Sequence, residues 1–182
     1  MPLDEHRNMP IADLVEEARE IARLGQKEVV ITGINTGDFG RTTGESFYDL
    51  LCALDKVEGI ERYRISSIEP NLLTDEIIEL CARSKKFQPH FHIPLQSGCD
   101  SVLARMRRRY TTARYANRIE AVRKLMPDAF IGIDVIVGFP GETDEEFEEL
   151  CDFLKKPKIE RAGVFKYSRE EGTRAAEMDD QI

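Results

Sequence analysis

The chain has 182 residues, of which 41% are hydrophobic and 33% are charged, and its formal net charge is −8. This content supports one sizeable core, so we expect a single domain over residues 1–182. The negative charge argues against a protein that coats nucleic acid. No segment approaches the roughly 18 consecutive apolar residues of a membrane span, and the first residues lack an apolar leader. We therefore expect a soluble, cytoplasmic protein with no membrane partner.

Alternating helical and extended patterns run along the whole chain. Apolar residues at helical spacing fill residues 11–24, and Gly25 follows as a stop signal. Ser46 with Asp49, and Thr143 with Glu146, have the spacing of capping boxes that begin helices. In chain order, the predicted elements are a helix at 11–24, a strand at 29–31, a helix at 47–54, a strand at 63–68, a helix after Thr74, a strand at 90–95, a basic helical stretch, a strand at 130–137, a helix after Thr143 and a strand at 163–167.

Five strands that alternate with helices predict an α/β fold with a parallel sheet, because each crossover is a helix. Within residues 130–138, Ile131, Ile133 and Val135 share one face, whereas Asp134 lies on the other. A polar second face favours a barrel with a ligand site over a doubly wound sheet buried on both sides. A complete barrel has eight strands. We therefore predict a partial (β/α) TIM-like barrel with about five parallel strands.

The four cysteines are far apart in the sequence and form no CxxC motif. Cys52, Cys81 and Cys151 fall on the apolar faces of predicted helices, which indicates buried thiols in a reducing compartment. Cys99 follows a glycine in a loop, and its role stays open. The spacing predicts no metal site made of cysteines.

A basic patch lies between Arg105 and Lys124, where eight basic residues accompany one acid, Glu120. Such a patch is typical either of a site for a phosphate or carboxylate or of a solvated helix face. The residues alone leave both interpretations open.

Polar and glycine-rich segments follow the predicted strands, and ligands of parallel α/β folds bind at the carboxyl ends of the strands. His90 and His92 are two residues apart on one strand, and Asp134 follows on the next. This spacing permits a metal site, so a metal-dependent barrel hydrolase is an alternative hypothesis. The same side chains are also typical of polar groups hydrogen-bonded inside a barrel.

Taken together, the segments at the strand ends resemble the radical S-adenosylmethionine (SAM) core of the tRNA methylthiotransferases. The resemblance covers most of the chain and rests on six motifs in the same order: TGIN (32–35), RISSIEP (64–70), PLQSG (94–98), MRRRY (106–110), DVIVGFPGET (134–143) and a segment from YS to GT (167–173).

The resemblance implies radical chemistry that adds a methylthio group to an adenosine beside the anticodon of tRNA, with SAM and a 4Fe-4S cluster as cofactors. It also implies which residues face SAM, with Ile136 and Gly138 along its adenine and Arg108 toward its carboxylate. The full implied set is Gly33, Asn35, Ser67, Glu69, Gln96, Ser97, Arg108, Ile136 and Gly138.

One departure from the family pattern is large. The family holds its cluster with three cysteines in a CxxxCxxC loop, and no such triplet occurs in this sequence. We also expect the family's N-terminal domain and C-terminal RNA-binding domain to be absent. We therefore expect a fragment that holds no cluster, is inactive alone, and binds RNA weakly or not at all. A non-catalytic module that binds SAM or RNA is a further alternative. The modified adenosine and the oligomeric state stay open.

Overall fold

The computed structural model describes residues 9–33, 36–40 and 43–181. Six α-helices and five β-strands alternate along this part of the chain. In order, they are α1 (Ile11–Arg23), β1 (Glu28–Ile31), a short 3-10 helix (Thr36–Asp38), α2 (Phe47–Asp55), β2 (Arg62–Ser67), α3 (Asp75–Arg83), β3 (Phe87–His92), α4 (Asp100–Arg105), α5 (Thr112–Leu125), β4 (Phe130–Val137), α6 (Asp144–Leu154), β5 (Arg161–Lys166) and a second 3-10 helix (Arg174–Glu177).

The five strands form one parallel sheet in the order β1-β2-β3-β4-β5. A doubly wound sheet reverses its strand order at a switch point, whereas barrel strands follow one another in sequence. The sequential order therefore confirms the predicted partial barrel.

Side-chain caps fix where the helices begin. The Thr143 hydroxyl accepts a hydrogen bond from the backbone of Glu146, and the Glu146 carboxylate accepts one from the backbone of Thr143, so the predicted capping box is confirmed. Ser46 caps α2 by accepting from the backbone N–H of Asp49 at 3.1 Å. The Asp49 carboxylate accepts from the Ser46 hydroxyl rather than from its backbone, so this cap lacks the reciprocal bond.

The two faces of the sheet differ sharply. On the helix-covered face, Tyr63, Phe91, Ile131 and Val135 are each fully buried. This burial confirms the apolar face predicted for β4. The other face, which we call the open face, carries residues that are partly or largely exposed: Val30, Arg62, Arg64, His90, His92, Asp134, Ile136 and Phe165.

The prediction for β3 was wrong in its position. The strand begins at Phe87, not at His90, and ends at His92. Pro89 lies inside it and has no N–H for the ladder, and the pairing of β2 with β3 shifts register between Tyr63 and Ile65. The proline concealed an extended segment that begins three residues earlier than the alternation indicated.

The predicted basic helical stretch is two helices, α4 and α5, separated by a turn in which Arg107 has a φ of 56°. Much of its positive charge is neutralised by distant acids. Four arginines form ion pairs, Arg105 with Glu146, Arg108 with Glu69, Arg118 with Asp75 and Arg123 with Glu160.

All four cysteines are free thiols. Cys81 and Cys99 are buried, whereas Cys52 and Cys151 are only partly so. The prediction of buried thiols on helices is therefore confirmed for Cys81 and is too strong for the other two. Among the described residues, no helix is long and apolar enough to span a membrane.

Candidate functional site

A cavity of about 340 Å³ opens at the edge of the sheet where β4 and β5 end. Its volume is in the range of small-molecule sites. Apolar side chains line one part of it and arginines and hydroxyls the other. The residues that line it include Arg107, Arg108, Ile136, Phe165, Tyr167 and Ser168.

The end of β1 is tied to the end of β2 by one hydrogen bond. The buried Thr36 hydroxyl donates to the backbone carbonyl of Ser67 at 2.6 Å. Gly33 is exposed at this edge, and a methyl group in place of its hydrogen would meet Thr36 at an ordinary 3.7 Å. Asn35 lies outside the described residues, so its predicted role stays a prediction.

Glu69 and Arg108, both predicted to face SAM, contact each other. The Arg108 Nη1 donates to Glu69 Oε1 at 3.0 Å, and both side chains are mostly buried. The Arg108 Nε is buried and has no hydrogen-bond partner among the described residues. The guanidinium as a whole lines the cavity, where its positive charge suits a carboxylate.

Gln96 occupies an unusual backbone conformation beside β4. Its φ is 66°, in the left-handed region that glycine prefers. The strain is held by two backbone bonds: its N–H donates to Asp134, and its carbonyl accepts from Ile136, each at 2.8 Å. Strained residues that the surroundings hold in place cluster at functional sites.

Ser97 is fully buried, and its hydroxyl accepts a hydrogen bond from the backbone N–H of Cys99 at 3.2 Å. This contact places the Ser97 hydroxyl inside the loop. In this structure its side chain supports the turn into α4.

The loop after β4 combines two glycines with a glutamate. Gly138 and Gly141 have φ values of 73° and 74°, which other residues rarely adopt. The Gly138 N–H donates to Glu142 Oε2 at 2.5 Å, whereas the buried Glu142 Oε1 has no partner among the described residues. Ile136 lines the cavity just before this loop.

Two aromatic rings form a wall of the cavity. Phe139 and Tyr167 meet edge to face, with ring centroids 5.6 Å apart. The Tyr167 hydroxyl is buried and lacks a partner among the described residues. The wall is therefore aromatic, as expected where a planar heterocycle binds.

An ion pair fastens α4 to α6 behind the cavity. Both guanidinium nitrogens of Arg105 contact the Glu146 carboxylate, and Ser101 donates to the same carboxylate. The bonds from Arg105 lower the pKa of Glu146 from 4.5 to about 2. The carboxylate is therefore charged at all ordinary pH values, and α4 is fixed relative to the loop after β4.

The residues of the hydrolase hypothesis do not converge on a metal. His92 Nε2 and Asp134 Oδ2 lie 3.0 Å apart, which is a hydrogen-bond contact. His90 instead stacks on Phe130, with centroids 4.8 Å apart and planes at 2°. Burial, then the charge of Arg64, lower the pKa of His90. The described part of the chain contains no group of three potential ligands, so the hydrolase hypothesis has no metal site.

The residues at the carboxyl edge fit SAM, but they do not fit a cluster. An apolar wall, a glycine loop, and unsatisfied polar atoms on Arg108 and Tyr167 suit a nucleoside joined to an amino acid. A 4Fe-4S cluster requires thiolates close together. The four cysteines, all among the described residues, form no such group.

Phe165 was missed by the sequence analysis. It lines the cavity and is 55% exposed on the open face of β5, directly opposite Ile136 in the strand pairing. Extending the two-residue alternation of β4 to β5 would have placed it there.

Comparison with known proteins identifies the family. A sequence model of the radical SAM superfamily matches residues 2–154. The threonylcarbamoyladenosine tRNA methylthiotransferase of Bacillus subtilis is 47% identical over 93% of this chain, and the tRNA-2-methylthio-N6-dimethylallyladenosine synthase of Alkaliphilus oremlandii is 38% identical over 97%. The chain spans only 38% of the length of each.

Solved structures show the same fold at low identity. The radical SAM methyltransferase of Kitasatospora setae superimposes on 88% of this chain with a TM-score of 0.72, at 16% identity and over 31% of its own length. Coproporphyrinogen III oxidase from Escherichia coli covers 93% of this chain with a TM-score of 0.68, at 17% identity and over 41% of its length. Both likenesses establish the architecture alone.

Proposed function

We propose that this chain, which belongs to the radical SAM superfamily, is the SAM-binding core of a tRNA methylthiotransferase. The complete enzyme would add a methylthio group to an adenosine next to the anticodon. The observation that carries this proposal is the 47% identity to a tRNA methylthiotransferase over 93% of the chain. The chain would form one domain over residues 1–182.

SAM would bind along the carboxyl edge of the sheet. We assign its amino acid part to Arg108 and Glu69 and its adenine to the stretch from Ile136 to Gly138. The position of the Arg108 guanidinium in the cavity lining supports the first assignment, and the position of Ile136 in the same lining supports the second. When bound and reductively cleaved, SAM supplies the radical that takes hydrogen from the substrate. The remaining assigned positions are Gly33, Asn35, Ser67, Gln96 and Ser97.

The chain alone would hold no cluster and would not catalyse the reaction. After anaerobic treatment with iron and sulfide, we expect no bound iron and sulfide above the level of a variant without cysteines. A stoichiometric cluster on this chain would contradict that expectation.

We propose tRNA as the partner of the complete protein and cytoplasm as its location. For this chain alone we expect weak RNA binding at best, because phosphate contacts require unpaired cations. Its net charge is −8, and four arginines of its basic patch already face carboxylates.

Calorimetry of SAM binding to the complete protein tests the site. Glu69→Gln should weaken SAM binding about tenfold, because it removes the charge that orients Arg108. Gln96→Gly removes the side chain and relieves the backbone strain at φ 66°, so weaker binding by this variant is not a folding defect. Glu79→Gln, on an exposed surface of α3, is the matched control. Unchanged affinity in both site variants would remove these residues from the site.

A further inference from the structure

The open face of the sheet carries a second group of side chains next to the cavity. Asp134 precedes Ile136 by two residues on β4, so it lies about 7 Å farther from the carboxyl edge on the same face. His92 of β3 and Phe165 of β5 flank it on the neighbouring strands. We call Phe165, Asp134 and His92 the base-binding face. The proposed SAM site uses neither Asp134 nor His92, whereas Phe165 stands at the border and also lines the cavity.

His92 and Asp134 form an oriented pair that remains accessible. The contact between Nε2 and Oδ2 is 3.0 Å, and both side chains are 35% exposed. Asp134 therefore keeps its Oδ1 and His92 its Nδ1 for another partner. Together they offer a carboxylate acceptor and an imidazole group that can donate or accept.

Two glycines leave space around this pair, Gly163 on β5 and Gly132 on β4 itself. A methyl group added at Gly163 would approach Asp134 Oδ1 at 2.5 Å and the Phe165 ring at 3.0 Å. Asp134 and Phe165 thus meet over Gly163, where only a hydrogen fits. At Gly132 the same methyl group would lie 3.9 Å from His92 Nδ1, an ordinary contact.

Phe165 exposes an aromatic surface beside these polar groups. Its side chain is 55% exposed, although an aromatic ring of this size is usually buried in a folded domain. His90 and Phe130 stack farther down the face and form an aromatic floor. An exposed ring next to hydrogen-bonding groups is the arrangement by which proteins bind an unstacked base of RNA.

We propose that the base-binding face holds the nucleobase of the RNA substrate, which stacks on Phe165 while its polar edge bonds to Asp134 and His92. The inference rests on the proposed function, because that function provides the RNA substrate. It goes further by assigning substrate recognition to three residues. It also places the polar edge of the base about 7 Å from Ile136, beside the SAM cavity.

Binding of N6-dimethylallyladenosine and of N6-threonylcarbamoyladenosine, each measured by NMR titration of the complete protein, tests the proposal. Phe165→Ala should weaken binding about tenfold, because stacking on an aromatic ring contributes about 1–3 kcal/mol per base. Val164→Ala, 62% exposed on the opposite face of the same strand, is the matched control and should bind as the parent does.

A glycine variant tests the geometry without removing a polar group. Gly163→Ala should weaken nucleoside binding by displacing Asp134 and Phe165. Asp134→Asn should also weaken nucleoside binding, and thermal melting of each variant checks folding.

Calorimetry with SAM distinguishes the proposal for the base-binding face from the proposed function. Asp134→Asn should lose the nucleoside and keep SAM, which would support the face; Phe165 also lines the SAM cavity, so its variant is compared by nucleoside binding alone. Equal nucleoside binding by Phe165→Ala and Val164→Ala, or none by the parent protein, overturns the face alone. If the parent protein does not bind SAM, the proposed function is overturned instead.

Discussion

The two faces of one sheet follow different physical rules in this protein. On the helix-covered face, Phe91, Ile131 and Val135 are fully buried and strictly apolar. On the open face, neighbouring positions on the same strands carry His92 and Asp134, each 35% exposed. Because alternate residues of a strand point to opposite faces, one strand serves both purposes. Residues that stabilise the fold and residues available to ligands are therefore separated by a single position.

The largest effect is expected when a phenylalanine of the helix-covered face is compared with one of the open face. Phe91→Ala should lower the free energy of unfolding by about 4 kcal/mol, because it removes a fully buried ring and leaves a cavity. Phe165→Ala should change it by less than about 1 kcal/mol, since that ring is largely exposed. Urea denaturation measures both. Equal losses would show that the open face is part of the core.

A second test concerns the ion pair between Arg105 and Glu146, next to the cavity. Glu146→Gln should lower the free energy of unfolding by roughly 2 kcal/mol at neutral pH, because Arg105 loses its partner. The folded-state pKa is about 2 and the usual value is 4.5, so the stabilisation is complete above pH 4.5. It is lost as the pH falls through that interval.

The difference in urea midpoint between parent and Glu146→Gln should therefore shrink from pH 4.5 toward pH 2. Glu148→Gln, on an exposed part of α6, is the control and should not move the midpoint. A difference that is constant with pH would mean that the Glu146 carboxylate is not stabilised by its charge.

The smallest effect is expected in the reactivity of the cysteines, which is measured without a mutation. Burial, then the charge of Asp55, raise the pKa of Cys81 to about 12, so its reactive thiolate is scarce. Cys52 and Cys151 are partly exposed on α2 and α6. Iodoacetamide should label these two well before Cys81, as read by peptide mass spectrometry. Equal labelling rates would mean that the helix layer opens readily.

Local patterns predicted most of the fold. The alternation of β4 and the capping residues Thr74 and Thr143 were visible in the sequence, and they fixed these elements correctly. The start of β3 was misplaced because Pro89 interrupts its pattern.

The site was less predictable because its contacts are long-range. The partners Glu69 and Arg108 are 39 residues apart, and Arg105 and Glu146 are 41 apart. No local spacing connects such residues. The sequence could therefore identify the strand ends that share one edge, but not which arginines would find a carboxylate.

The outer strand β5 has a further consequence, for solubility. Its other edge pairs with nothing among the described residues, and it exposes Val164 and Phe165. Such an edge invites strand addition by a second copy. Arg161 and Lys166 stand at its two ends. In-register self-pairing, parallel or antiparallel, would place basic residues opposite each other at both ends, which is unfavourable. The charges at the two ends of β5 therefore disfavour aggregation of β5 with itself. A neutral or acidic strand would meet no such repulsion.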